Sequence, residues 1–323
     1  MKVAIIGGGI CGLYLAKNLA QKKNTVTVFE RKKTIGKECC SGLFSSRIFD
    51  FVPEAKKLAT NQINSAIINF PKKQIRLKFG LPFFVIEHSR IDLLAAALAT
   101  QAGANIRVNE TIDSRRLTEF EKNYDRIIGC DGALSPTRQY INSRFPVSGD
   151  RGICFYLGVQ GFEKRSDNSD FVETWATKNG FLWKIPRGQD IEWGIMEKPE
   201  TAPKLFTEFA SAKKLNLVEI KSAIIPQGLV IPENGRITLC GDASGLTKPW
   251  SGGGVIWNLT QARILLKNFP NFLQYKKEAL RFFGLRVDFG KLAKAGAYTA
   301  GFNFPWLIPG NFNIDGDYLI KKN

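Results

Sequence analysis

Gly7, Gly9 and Gly12 stand at the spacing G-x-G-x-x-G, directly after the apolar run Val3, Ala4, Ile5 and Ile6. A helical pattern carried by Leu13, Leu15, Ala16 and Leu19 follows. This arrangement binds the pyrophosphate of a dinucleotide: Gly7 permits a tight turn, Gly9 lets phosphate approach the backbone, and Gly12 lets the helix pack on its strand. The amides of the helix N-terminus then face the anion. A second apolar strand at 25–29 ends in Glu30, 18 residues beyond Gly12, where a carboxylate accepts hydrogen bonds from a ribose. Arg31, next to it, joins the candidate cofactor-binding set. The strand-then-glycine pattern returns in IIGCDGALSPTR at 127–138 and ITLCGDASGLTKPWSGGG at 237–254, which hold one carboxylate each, Asp131 and Asp242. Gly252, Gly253 and Gly254 open a helix whose first amides would stabilise negative charge accumulating on a bound ring.

The remaining side-chain chemistry is sparse. His88 is the sole histidine, no G-x-S-x-G elbow accompanies it, and metal sites ordinarily use more imidazoles, so the expectation is no metal and no serine hydrolase. Hard chemistry is therefore assigned to a cofactor. Six cysteines show no C-x-x-C pair, which argues against a disulfide framework and for a reducing cytoplasm. Cys11, Cys130 and Cys240 occupy small apolar positions where cysteine packs. Cys39 and Cys40 differ, standing in the polar loop IGKECCSGLFSSR. Lys and Arg number 46 against 29 Asp and Glu, giving +17 and favouring anionic partners. The basic clusters are scattered and carry no aromatic-interleaved motif, so nucleic acid is not expected.

The elements that must position these residues read as an α/β chain. Strand, helix and strand to Glu30 are followed by a loop and short helix to about 60. A hairpin then runs over 63–70, a turn at 71–74, and 75–79. Ser89 to Asp92 reads as a capping box opening a helix over 90–101, with His88 structural in front of it. Strands at 105–108 and 125–129 return to the first layer. Strands over 152–159, 171–177, 181–185 and 191–196 form a separate antiparallel sheet. A strand at 237–240, a helix after Gly254 running to about 268 and a mostly helical tail from 269 follow. Lys2 and the apolar stretch after it belong to the fold and not to a signal peptide, because four glycines interrupt the stretch and no Ala-x-Ala-like site follows. No apolar run reaches the roughly 18 residues of a membrane span.

Cys130-Asp131-Gly132 with Ser135 and Arg138 resembles the DG motif of flavoprotein monooxygenases and their reductase relatives, and Gly241-Asp242-Ala243 resembles their GD motif. The longer stretch 241–254 looks like the G-D-A-A-G-x-x-K-P-x-x-G-G-G segment of the geranylgeranyl reductase family. Cys40-Ser41-Gly42-Leu43-Phe44-Ser45 is similar to that family's C-[ST]-G-L-x-S loop. Phe181-Leu182-Trp183-Lys184-Ile185-Pro186 approaches the reductases' Y-x-W-x-F-P and the flavin halogenases' W-x-W-x-I-P but completes neither. The resemblance covers about residues 1–265.

It implies a Rossmann-like FAD-binding domain at 1–60, 90–150 and 225–268. A β-rich substrate-binding domain at 61–89 and 151–224 is inserted in it, and a helical, aromatic tail follows at 269–323. FAD would be held by the Gly7–Gly12 turn, Glu30, Arg90, and the motif carboxylates Asp131 and Asp242. The implied activity is saturation of isoprenoid C=C bonds by hydride from reduced flavin, with NADPH or a ferredoxin-like protein as electron donor. Cys40 is the implied proton donor or positioning group, with Cys39 its neighbouring rival and inert packing of both the alternative. Phe181, Trp183 and Trp250 are candidate walls for an isoprenoid or prenylated lipid. A flavin monooxygenase or halogenase, and a non-enzymatic prenyl-binding escort, are the alternatives. A lipid substrate, +17 and the aromatic segment Phe302 to Ile308 together predict peripheral association with an anionic membrane surface.

Overall fold

The structure is a computed structural model and describes residues 1–144, 152–165 and 169–319; the expected domain boundary at 150/151 lies outside the described residues. In chain order the first elements are β1 (Lys2–Ile6), α1 (Ile10–Gln21), β2 (Thr25–Phe29), β3 (Leu43–Ser45), α2 (Ile48–Phe51), β4 (Asn61–Phe70) and β5 (Lys73–Val85). There follow α3 (His88–Gln101), β6 (Asn105–Arg107), α4 (Ser114–Asn123), β7 (Arg126–Gly129), α5 (Pro136–Arg144), β8 (Cys154–Lys164), β9 (Phe171–Ala176) and β10 (Phe181–Arg187). The last are β11 (Asp190–Glu197), α6 (Ala202–Ala212), β12 (Val218–Gln227), β13 (Ile237–Leu239), α7 (Val255–Asn268), α8 (Phe272–Asn303) and β14 (Asn311–Ile314). The chain divides into two compact units, Met1–Lys37, Ser89–Cys154 and Pro226–Val287 in one, Glu38–His88, Phe155–Ile225 and Asp288–Asn323 in the other.

The first unit holds a five-stranded sheet in the order β13-β7-β1-β2-β6, parallel at every pair. Strands buried on both faces read as continuous apolar runs, and Val3 to Ile6 and Val26 to Phe29 are buried throughout. Ala4, Ile6, Phe29, Ile127, Ile237 and Leu239 pack with Leu117 and Phe120 of α4 and Tyr140 and Ile141 of α5. Two glycines are dictated by close approach. At Gly7, where φ is +107°, a Cβ would fall 2.2 Å from the carbonyl oxygen of Cys130. At Gly12 it would fall 2.2 Å from that of Gly7. Any side chain at either place would part strand, turn and helix.

The second unit holds a nine-stranded sheet in the order β12-β8-β11-β10-β9-β4-β5-β14, with β3 also pairing with β5. Among the described residues most pairs are antiparallel, but β4 runs parallel to β9 and β14 parallel to β5. Alternation along β10 sends Phe181, Trp183 and Ile185 to one face, with Ile63, Phe83, Val85 and Tyr156. Leu182 goes to the other face, with Ile191, Trp193, Ile195 and Phe206 of α6.

Several boundaries differ from the sequence reading. Residues 38–60, assigned above to the nucleotide-binding domain, group with the second unit because β3 adds to β5 through Leu43↔Val85 and Ser45↔Phe83. The tail at 269–323 is divided between the units after Val287. The hairpin turn is only Pro71-Lys72, since Phe70 already pairs with Lys73, and β5 runs on to Val85. α3 begins at His88, so Ser89 and Asp92 lie in its first turn and the helix starts two residues earlier than expected. The Asp92 carboxylate accepts the backbone N–H of Lys37 at 2.9 Å. His88 is buried edge-on against Phe44. Helices α4 and α6 and strand β12 have no counterpart in the sequence reading. Among the described residues no helix is long and apolar enough to cross a membrane.

Candidate functional site

In the first unit the three glycine-bearing turns follow β1, β7 and β13, which are neighbours in the sheet. The turn at Gly7 to Gly9 leads into α1, which starts without any side-chain cap. A Cβ at Gly9 would meet nothing within 4 Å, so the backbone there borders open space. An uncapped helix N-terminus beside such a gap suits a phosphate. Glu30 tightens this edge: its carboxylate accepts the N–H of Gly8 at 2.8 Å and that of Lys32 at 2.9 Å. Half-buried, it retains lone pairs for a ribose. Arg31 and Arg90 are exposed.

The carboxylate of Asp131 is occupied by its own helix. It accepts the N–H and Oγ1–H of Thr137, at 2.9 and 2.7 Å, and the hydroxyl of Ser135, which satisfies the start of α5. Burial pushes its pKa above the ordinary carboxylate value, and the bonds from Ser135 and Thr137 oppose that rise. The structure thus gives Asp131 a role in shaping the turn. Arg138, buried behind it, donates to the carbonyls of Ala133 at 2.6 Å and Ala243 at 2.7 Å, and so ties the second turn to the third.

Asp242 follows β13. Its Oδ1 accepts from Asn258 Nδ2 at 2.7 Å, and its Oδ2 lies 3.3 Å from Lys37 Nζ. Lys37 and Asn258 are members of this site that sequence reasoning missed. Lys37 sits in a polar loop without periodicity, and Asn258 lies one turn into α7, where helical spacing announces only packing. Gly252 to Gly254 precede α7, which starts at Val255 without a side-chain cap. Trp250 rests edge-on against buried Trp257, 5.6 Å between centroids. Beneath the turns, Cys11 Sγ touches Cys240 Sγ at 3.5 Å. The thiol of Cys11 is pushed up first by its neighbour Cys130 and that of Cys240 first by burial, which leaves both as protonated packing groups.

The second unit carries the cysteine loop. Cys39 and Cys40 are both half-buried, and the thiol of Cys40 accepts the N–H of Gly42 at 3.4 Å. Phe181 remains half-exposed, while Trp183 is buried and donates from Nε1 to Glu192 at 2.9 Å. Glu192 is fully buried and ion-paired with Arg187 at 2.6 Å. Burial pushes its pKa up to about 7, against the attraction of Arg187 and with a small further rise from Cys40. Sequence reasoning named neither Arg187 nor Glu192.

The family described as an NAD(P)-binding Rossmann-like domain matches residues 5–56, which span the glycine turn and Glu30. A digeranylgeranylglycerophospholipid reductase of Methanocella arvoryzae is 23% identical over 299 residues, covering 81% of this chain and 75% of that protein. The digeranylgeranylglycerophospholipid reductase 3 of Methanosphaera stadtmanae is 23% identical over 329 residues, covering 88% and 82%. A geranylgeranyl bacteriochlorophyll reductase-like protein from Thermoplasma acidophilum shares the fold with a TM-score of 0.76 at 17% identity, covering 91% of this chain and 86% of that one. A flavin-dependent halogenase from Xanthomonas campestris follows at 0.70 and 13%, covering 90% and 76%.

Proposed function

We infer that this chain is a geranylgeranyl-reductase-like, FAD-dependent oxidoreductase that saturates C=C bonds in the isoprenoid chain of a lipid. The observation that carries this reading is segment 241–254, G-D-A-S-G-L-T-K-P-W-S-G-G-G. Its Asp242 meets Lys37 and Asn258, and its Ala243 carbonyl is tied to the DG turn by Arg138. The named activity of the sequence relatives supplies the substrate class.

Reduced FAD, when bound, supplies the hydride. The amides at the start of α1 and the open backbone at Gly9 suit its pyrophosphate, Glu30 its adenosine ribose, and Asp242 its ribityl side. The uncapped amides of α7 behind Gly252 to Gly254 suit the anionic edge of the reduced ring. Hydride delivery to one alkene carbon requires a proton on the other, and the Cys40 thiol is the proposed donor. Cys39 is the alternative. Phe181 and Trp183, on the apolar face of β10, are the proposed walls for the chain, and Trp250 is proposed separately as a substrate contact. NADPH or a ferredoxin-like protein is the proposed electron source. Lys and Arg in excess, and exposed Phe302, Phe304, Trp306 and Leu307, support peripheral docking on an anionic bilayer. The test is incubation of dithionite-reduced protein with geranylgeranylated phospholipid, followed by mass spectrometry. The expected product is heavier by two hydrogens for each bond saturated; unchanged lipid with fully reduced flavin overturns the reading.

A further inference from the structure

Arg187 and Glu192 stand on the same face of the β10–β11 hairpin as Trp183 and Ile185, and Glu192 pairs in register with Ile185. A charged pair on an apolar face is costly to bury, so its retention calls for a task. Its neighbours indicate the task. Arg187 Nη1 lies 2.6 Å from Glu192 Oε2, 3.0 Å from the Ser41 carbonyl and 3.3 Å from the Cys40 carbonyl, and its N–H bonds are shared among the three. The guanidinium also lies 5.6 Å from the ring centroid of Phe162 on β8. Glu192 in turn is fixed at its other oxygen by Trp183 Nε1, whose ring lies against the backbone at Gly194. The loop is pinned again just beyond the cysteine, where Ile86 N–H donates to the Gly42 carbonyl at 2.8 Å.

We propose that Arg187 and Glu192 are positioning residues for Cys40: Glu192, anchored by Trp183, aims the guanidinium, and the guanidinium fastens the Cys40 and Ser41 carbonyls and so fixes where the thiol stands. The proposal rests on the reading of Cys40 as the proton donor only for its catalytic meaning; the fastening itself is independent of turnover. A loop carbonyl held by a cation that is itself held by a carboxylate is sensitive to the charge of that carboxylate. Among the described residues, the titratable groups found to act on Glu192 are Arg187 and Cys40, while the residue opposite it on β8 is the neutral Phe162. When Glu192 takes up a proton, Arg187 loses its counter-charge and the thiol loses a negative neighbour, so the reactivity of Cys40 changes with the charge of a residue that never touches substrate.

The test is alkylation of the FAD-loaded protein by iodoacetamide between pH 5.5 and 9, in a Cys39→Ser background, with label on Cys40 counted by peptide mass spectrometry. The expected rate profile bends near pH 7 as well as at the thiol's own ionisation, and Glu192→Gln removes the bend near 7. Arg187→Gln is expected to speed labelling by about threefold or more, the effect of releasing a charge-assisted hydrogen bond, and Arg187→Lys to recover part of the difference. Should Arg187→Gln fail to fold, the Glu192→Gln profile decides alone. Superimposable profiles for the parent and both folded variants overturn the proposal. If the profiles behave as expected while Cys40→Ala still reduces the lipid at the parental rate, the positioning holds and the proton-donor reading of Cys40 falls.

Discussion

Replacing Glu192 by Gln should make the stability of the protein less dependent on pH, and the size of the change follows from the burial of the carboxylate. Its pKa is pushed up to about 7 in the folded chain, first by burial, from an ordinary value of 4.5. Between these two values the unfolded chain has already released the proton that the folded chain still holds. The contribution of Glu192 is therefore fully present below pH 4.5 and is lost as pH rises through about 7. At 1.36 kcal/mol for each pH unit the loss amounts to about 3 kcal/mol. A fully buried group has no solvent to screen this effect. Glu192→Gln removes it, and the changed hydrogen bonding of the amide to Arg187 and Trp183 adds only an offset that does not vary with pH. Urea unfolding of both proteins in saturating FAD, followed by tryptophan emission from pH 4.5 to 8, checks the sign. The variant should gain about 3 kcal/mol on the parent across that range, with all other titrating groups cancelling in the difference. Parallel stability curves, separated by a constant offset, would refute the reasoning.

Asp242→Ala should weaken FAD binding by about tenfold or more, read by fluorescence titration of the apoprotein, because a charge-assisted contact disappears and Lys37 and Asn258 lose their acceptor. Cys40→Ala should leave FAD bound and reducible while slowing alkene saturation by at least about tenfold, measured in single turnovers; an unchanged rate would return Cys40 to packing. Arg47→Gln removes the cation between buried Asp315 and Asp317, whose carboxylates it meets at 2.6 and 2.8 Å. That should cost about 3–5 kcal/mol in denaturant unfolding, and a loss under about 1 kcal/mol contradicts it. Binding to liposomes should rise with anionic lipid, fall with salt and weaken on truncation after Gly301; indifference to all three would remove the proposed bilayer contact.

The first unit was legible because its constraints are local. A turn that admits only glycine at 7 and 12, with a strand before it and an acid after the next strand, leaves few alternatives. The two later turns repeat the logic, and the sheet brings all three side by side. The second unit was less legible. Alternation along 191–196 sets Glu192 on the face opposite Ile191, Trp193 and Ile195, and only the structure shows that β11 is covered on both faces, so that the acid is as buried as its neighbours. Its partner Arg187 lies at the far end of a strand read as ending at 185, so the pair emerges only once the hairpin register is known. Residues 38–60 misled for a related reason: β3 is three residues long and its partner β5 lies 40 residues further on, a pairing that no local pattern encodes. Conversely, Asp131 sat at a motif position, yet its oxygens are already satisfied by Ser135 and Thr137.

Strand β14 carries a consequence for how the second unit comes to exist during synthesis. Asn311 to Ile314 lie parallel to Arg76 to Phe79, and just beyond them Asp315 and Asp317 close on Arg47. The paired residues, such as Arg76 and Asn311, stand 235 positions apart in the chain. Until the ribosome has delivered residue 317, β5 keeps an unpaired edge and the Arg47 guanidinium waits without its carboxylates. Pairings of such long range are slow to form, and an open edge is where nascent chains join to one another. β14 thus closes the β5 edge late, and a chain halted before it should be recovered from lysates mainly as aggregate or as protease fragments of the second unit.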